Sequence, residues 1–128
     1  MQRVTGLGGV FFKARDPKAL AEWYRVHLGL DVTPWGGVVF EWGGPGSSPG
    51  MTIWSPMPAD SGKMAPGTAS FMLNFRVADL DALLAALRAE GCQVLDEVED
   101  SAFGRFGWVL DPEGHKVELW EPPAATAP

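Results

Sequence analysis

The chain of 128 residues carries one cysteine, Cys92, so no internal disulfide can form. Histidine is also scarce, with only His27 and His115. No apolar run approaches the ~20 residues of a membrane span. The first residues lack the basic stretch and apolar core of a signal peptide. These absences predict a cytoplasmic protein with no membrane partner. Positive charge is in deficit as well. Ten Lys and Arg stand against sixteen Asp and Glu, a formal charge of −6. The pI is near 4.7. A net negative field repels phosphate backbones, which excludes nucleic acid as the expected partner.

What is present is a sequence that repeats itself. Phe12-Lys13-Ala14-Arg15-Asp16 leads into Pro17 and Leu20, and 63 residues later Phe75-Arg76-Val77-Ala78-Asp79 leads into Leu80 and Leu83. Thr52-Ile53-Trp54-Ser55-Pro56 closes the first half much as Glu118-Leu119-Trp120-Glu121-Pro122 closes the second. Two copies of a unit this long are too few for a solenoid. They imply two modules that pack together or enclose a cavity. The length fits a single domain over 1–128, with a core of useful size. Apolar residues make up 46% of the chain, an ordinary share, and six are tryptophans, a side chain that stacks on flat or cationic ligands.

Local signals give each module the order β-α-β-β-β. Residues 10–14 predict a first strand. Asp16 caps a helix with Pro17 at its first position, where a missing N–H costs nothing. Leu20, Trp23, Tyr24 and His27/Leu28 then form the expected inward stripe, and Gly29 ends the helix. Short strands are predicted over 30–33, 38–42 and 51–55, with a Gly/Pro/Ser loop over 43–50. The stretch 56–67 has no periodicity and reads as a connection, a candidate flap over a site. In the second module a strand over 70–77 precedes a helix capped by Asp79. Leu80, Leu83, Leu84 and Leu87 share that helix's face, and Gly91 ends it. Strands follow over 92–98, 106–110 and 116–120, the last two joined by an Asp111-Pro112-Glu113-Gly114-His115 turn. Module one then covers about 4–56, the connection 57–67 and module two about 68–122. The tail 123–128 reads as disordered.

Strand alternation selects the cavity-facing side chains. Val10, Phe12 and Ala14, like Leu73, Phe75 and Val77, form apolar faces suited to lie under the helices. Gly9, Phe11 and Lys13, with Met72, Asn74 and Arg76, then line the concave side. Thr52 and Trp54, and Glu118 and Trp120, are expected to meet them there. Phe11, Trp54 and Trp120 make apolar walls, and Lys13, Thr52, Asn74, Arg76 and Glu118 make polar handles, a usual composition for a ligand site. Arg76 and Lys13 suit a carboxylate or phosphate, or else pair with Glu118 or Glu41. Glu118 lies mid-strand among apolar residues, where a carboxylate must be paired, hydrogen-bonded or neutralised.

The segments Arg15-Asp16-Pro17, Trp23-Tyr24-Arg25-Val26-His27-Leu28-Gly29-Leu30, Phe75-Arg76-Val77-Ala78-Asp79-Leu80 and Asp111 through Trp120 resemble the vicinal-oxygen-chelate superfamily. That superfamily takes in glyoxalase I, extradiol dioxygenases, fosfomycin-resistance enzymes and bleomycin-binding proteins. The resemblance implies an α+β fold of two tandem β-α-β-β-β modules, a curved mixed sheet of about eight strands around a central cavity. It also implies a metal ligand on the first and last strand of each module. Those positions fall here on Gly9, Thr52, Met72 and Glu118. Glycine has no donor, a threonine hydroxyl is a poor one, and a thioether is too soft for the usual divalent ions. The site is therefore expected to hold no metal and no cofactor. His27, near a helix end, and His115, in a turn, fall outside the ligand positions.

Two functions compete on this reading. One is a metal-free protein that binds an aromatic or charged small molecule in the concave cavity, in the manner of the bleomycin-binding proteins. The other is a glyoxalase-like lyase or isomerase, or a dioxygenase-related enzyme, with Glu118 as base or ligand and Arg76 on an anionic substrate. A partner-binding module without pocket chemistry is a third. The resemblance implies a homodimer, and Trp35, Trp42, Phe103 and Met57 are candidate sticky positions.

Overall fold

The computed structural model describes residues 3–42 and 50–123. The elements are β1 (Val4–Ala14), α1 (Pro17–Leu28), β2 (Val38–Glu41), β3 (Met51–Pro58), a 3-10 turn (Gly62–Met64), β4 (Phe71–Val77), α2 (Leu80–Ala89), β5 (Gln93–Ser101), β6 (Gly104–Leu110) and β7 (Lys116–Glu121). The fold is α+β. Seven strands make one mixed sheet in the order β2-β3-β1-β4-β7-β6-β5. The first strands of the two halves, β1 and β4, pair antiparallel at its centre, and each pairs in parallel with the closing strand of its own half. The expected pseudo-symmetry is thus carried by the sheet itself.

The repeated sequence signals act as expected. Asp16 accepts a hydrogen bond from the Ala19 amide at 3.0 Å and Asp79 from the Ala82 amide at 3.1 Å, so both helices start on a carboxylate cap. Gly29 ends α1 at φ 70°, a left-handed conformation that suits glycine. Asp111 Oδ1 accepts from the amides of Glu113 and His115, both at 2.9 Å, which fixes the hairpin between β6 and β7.

Three expectations fail locally. Residues 30–33 form no strand. The Thr33 amide and hydroxyl both donate to the Gly37 carbonyl, at 2.9 and 2.8 Å, so the segment closes into a turn around Pro34, which has no N–H to offer a ladder. The predicted stripe on α1 is also displaced. Ala21 is the buried residue and Tyr24 packs 4.8 Å from Trp54, whereas Trp23, His27 and Leu28 stay exposed, with Trp23 stacked on His27 at 5.0 Å. Trp54 already fills the space under the helix, so a second indole has no room there. Third, the connection after β3 is not a flap. Ser61 caps the 3-10 turn, and Met64 is 1% exposed. The loop expected over 43–50 and the disordered tail expected over 123–128 fall, but for residues 50 and 123, outside the described residues.

The sheet buries a core on each face. Beneath α2, Val77, Leu80, Leu83, Leu84 and Leu119 pack together. On the opposite, concave face Met64, Met72 and Trp108 pack with Phe11, Met57, Leu95 and Phe106. One sheet edge is the nine-residue β5, which carries Asp96, Glu97, Glu99 and Asp100.

Candidate functional site

Register decides which side chains meet. On β4 and β7, Asn74 stands beside Glu118 and Arg76 beside Trp120. The hairpin sets Trp108 of β6 beside Glu118 from the other side. Side chains level with each other on adjacent strands share a face. Asn74, Glu118 and Trp108 therefore form one row across the concave face of the second half. Asn74 Nδ2 donates to Glu118 Oε1 at 2.6 Å, and Trp108 Nε1 donates to Oε2 at 3.0 Å. Burial pushes the Glu118 carboxyl above its ordinary value, against the opposing pull of these two bonds and, more weakly, of Lys116 and Lys63. Lys116 sits over the Trp108 ring at 5.1 Å and donates to the Lys63 carbonyl at 2.7 Å, tying the 3-10 turn to the row.

Asn74 is 3% exposed, and its Oδ1 is buried without a hydrogen-bond partner among the described residues. This oxygen points at Gly8. A Cβ placed there would fall 2.1 Å from Oδ1 and 3.3 Å from the Trp120 ring. Gly8 lies at the irregularity in the β1–β4 ladder between Leu7 and Gly9. A bulge and a missing side chain together leave room for the amide oxygen to pack against the backbone at Gly8.

The other predicted residues scatter. Glu118 is held by the neutral donors Asn74 and Trp108 rather than by Arg76, whose guanidinium lies over Trp42 at 5.4 Å. Trp42 rests against Gly6 and Gly50 and donates from Nε1 to the Thr52 hydroxyl at 2.9 Å. Thr52 in turn donates to the Leu7 carbonyl at 2.6 Å, so its oxygen is engaged in structure. Trp54 is not a cavity wall. It is level with Val10 and packs against Phe12 at 5.4 Å and Tyr24, under α1. Ile53 and Ser55, level with Gly9 and Phe11, take the concave face instead. Phe11 packs against the methionine and tryptophan cluster. Lys13 is level with Met57, four residues along β1 from Gly9 or about 13 Å away at strand spacing. It does not join the row. Trp120 does lie beside the site, its Nε1 donating to the Phe103 carbonyl at 2.8 Å.

The donor set does not suit the metal of the superfamily. Gly9 offers nothing, Thr52 is bonded to structure, and Met72 is buried in an apolar cluster. That leaves one carboxylate, whose two oxygens already accept from an amide and an indole. His27 is exposed on α1, and His115 Nδ1 lies 2.8 Å from Asp111 Oδ2 beside the Phe71 ring. No group of three or more His, Cys, Asp or Glu suited to an ion occurs among the described residues.

Sequence reasoning missed Trp108, Gly8 and Met64. Trp108 was legible, because pairing across the predicted hairpin turn sets it opposite Glu118. The contact at Gly8 depends on a bulge, and nothing periodic announces Met64.

The glyoxalase-like domain family matches residues 9–120. No curated protein sequence matches the chain. Among solved structures, methylmalonyl-CoA epimerase from Mycobacterium tuberculosis is 24% identical with a TM-score of 0.63, covering 96% of this chain and 91% of its own. A variant of Streptomyces coelicolor methylmalonyl-CoA epimerase in complex with 2-nitronate-propionyl-CoA is 21% identical with a TM-score of 0.71, over 98% and 99%. A glyoxalase/bleomycin resistance protein/dioxygenase superfamily member from Vibrio splendidus 12B01 is 14% identical with a TM-score of 0.57, over 94% and 99%. These likenesses show the fold. With the family match over most of its length and the paired modules of its sheet, the chain belongs to the glyoxalase-like family of the vicinal-oxygen-chelate superfamily.

Proposed function

We propose that this protein binds a small molecule without a metal, on the concave face around Glu118 and Asn74. The observation that carries the reading is the lone Asn74 oxygen. A buried acceptor without a partner costs about 1–3 kcal/mol. A ligand N–H or O–H that reaches this oxygen recovers that cost. Phe11 and Trp120 supply apolar contact on either side, and Ile53 and Ser55 extend the surface into the first half. An aromatic or charged compound with a hydrogen-bond donor is the chemical class this surface fits. The setting is cytoplasmic, with neither nucleic acid nor membrane as partner.

A panel of aromatic amines, amides and acids, titrated against intrinsic tryptophan fluorescence, tests this directly. Donor-bearing compounds should bind, and Asn74→Ala should weaken them at least tenfold. Equal binding by the variant, or binding that requires added Zn, Ni, Mn or Fe, ends the reading.

A second reading is favoured by the position of Glu118, a buried carboxylate whose pKa burial raises, a direction that strengthens a general base. One epimerase of this fold is solved with methylmalonyl-CoA bound, a thioester with an acidic carbon beside its carbonyl. Under this reading Glu118 takes the carbon-bound proton, and the Asn74 and Trp108 N–H groups hold its carboxylate in place. Deuterium uptake into such a thioester in D2O, lost in Glu118→Gln, supports it. No uptake above the uncatalysed rate removes it.

A further inference from the structure

A cavity lies outside the concave face, on the far side of the sheet. It has a volume of about 490 Å³ and sits between α1 and the turn that replaces the expected strand at 30–33. That volume falls within the roughly 300–1,000 Å³ of small-molecule sites. Its floor is apolar, formed by Ala21 of α1, Val32 of the turn and Pro56 of β3. One wall is the Trp35 indole, 57% exposed. The ring does not collapse into the space because it folds back over Gly37, where an added Cβ would lie 1.9 Å from it. Glycine at 37 is what lets the ring stand there.

The charges at the rim favour an anion. Lys18 points into the cavity lining and forms no ion pair among the described residues. Arg25 spends Nε and Nη2 on Glu22, at 2.9 and 2.6 Å, which neutralises the one acid in the lining and leaves Nη1 outside the pair. An exposed indole face, an apolar floor and a cation at the rim together match a flat aromatic ring bearing a carboxylate.

We propose that this cavity is a binding site for planar aromatic carboxylates, separate from the concave face. The turn at 33–36 then has a use: by leaving the sheet it opens a cleft beside α1 that a ladder strand would close.

The test uses 2-naphthoate as probe and the whole chain labelled with nitrogen-15. Addition of the probe should shift the Trp35 indole N–H signal, identified by its absence in Trp35→Phe, together with the amides of Lys18, Ala21 and Gly36. Lys18→Glu should weaken binding at least tenfold, and Trp35→Ala should abolish it. Uncharged 2-naphthalenemethanol should bind at least tenfold more weakly than the acid. Both substitutions lie at the surface and spare the core. The proposal is overturned by absence of shifts at these positions up to about 5 mM probe, by shifts confined to Ile53, Ser55 and Glu118, or by equal affinity in Lys18→Glu. Failure of the concave site to bind anything leaves these signals unaffected, so the two readings stand or fall separately.

Discussion

Adding one methyl group at Gly8 should damage the protein more than a surface alanine normally does. The new Cβ would lie 2.1 Å from Asn74 Oδ1 and 3.1 Å from its Cγ, where ordinary contact begins near 3.4 Å. The amide must therefore retreat by more than 1 Å. It is 3% exposed and holds Glu118 at 2.6 Å, so it cannot retreat without stretching that bond. Overpacking of a filled site costs about 1–3 kcal/mol, and loss of a hydrogen bond to a charged group adds about 1.5–3 kcal/mol. The reduced freedom of the unfolded chain returns about 0.4–1 kcal/mol. The balance is a loss of about 1.5–5.5 kcal/mol, a fall in melting temperature on the order of 10 °C. Urea unfolding of Gly8→Ala, followed by tryptophan fluorescence, reads it. Removing the obstructing amide gives the control: Gly8→Ala in an Asn74→Ala background should cost almost nothing further. A Gly8→Ala protein within about 0.5 kcal/mol of wild type, or losses that simply add in the double variant, would refute the packing argument.

Glu118→Gln should change the pH dependence of stability. Burial raises the folded pKa of Glu118 above the ordinary 4.5, so the folded state holds this proton more tightly than the unfolded chain. Its stabilising share is complete below that ordinary value and is lost as pH rises through the folded one. Urea midpoints of wild type relative to the Gln variant should therefore decline over that window and then level, whereas a constant offset from pH 4 to 8 refutes it. Met64→Ala should cost about 2–5 kcal/mol, since a core methionine is removed from between Met72 and Trp108; a loss under about 1 kcal/mol in the same urea assay would mean the 3-10 turn is only loosely seated. A homodimer is expected in solution. Of the candidate positions Phe103 is 77% exposed and open to such a contact, whereas Trp42 and Met57 are half-buried and Trp35 lines the cavity beside α1. Light scattering that returns the 13.8 kDa of one chain across micromolar concentrations would refute the dimer.

The parts of the fold that were legible in the sequence are those set by short-range chemistry. The caps at Asp16 and Asp79, the glycine stop after α1 and the Asp111 turn need only a few neighbouring residues, and each forms as its sequence implies. The repeat then fixes the order of strands. The failures concern distance and register. Alternation puts Thr52 and Trp54 on one face of their strand, but which face that is depends on pairing with β1, and a slip of one residue exchanges the two sides of a sheet. Asn74 and Glu118 were placed on the right face because both lie level on β4 and β7. Of the partners the sequence left open for Glu118, Arg76 is not the one it takes; that guanidinium lies over a tryptophan from the first half. Met64 shows the limit most plainly. Its burial depends on a 3-10 turn folding across the sheet, and no local pattern encodes that path.

The acidic edge of the sheet bears on how copies of this chain behave when crowded. A bare strand of nine residues is a template on which a second molecule can extend the sheet. On β5, Asp100 is engaged by Arg105, but Asp96, Glu97 and Glu99 have no cationic partner among the described residues. Another β5 laid alongside would bring carboxylate against carboxylate, and the contact would push apart before its backbone bonds could form. That protection is made of charge and so weakens as ionic strength rises. Where salt shortens the reach of those charges, the irregularity between Val94 and Val98 is what remains on this edge to spoil the match of a second strand.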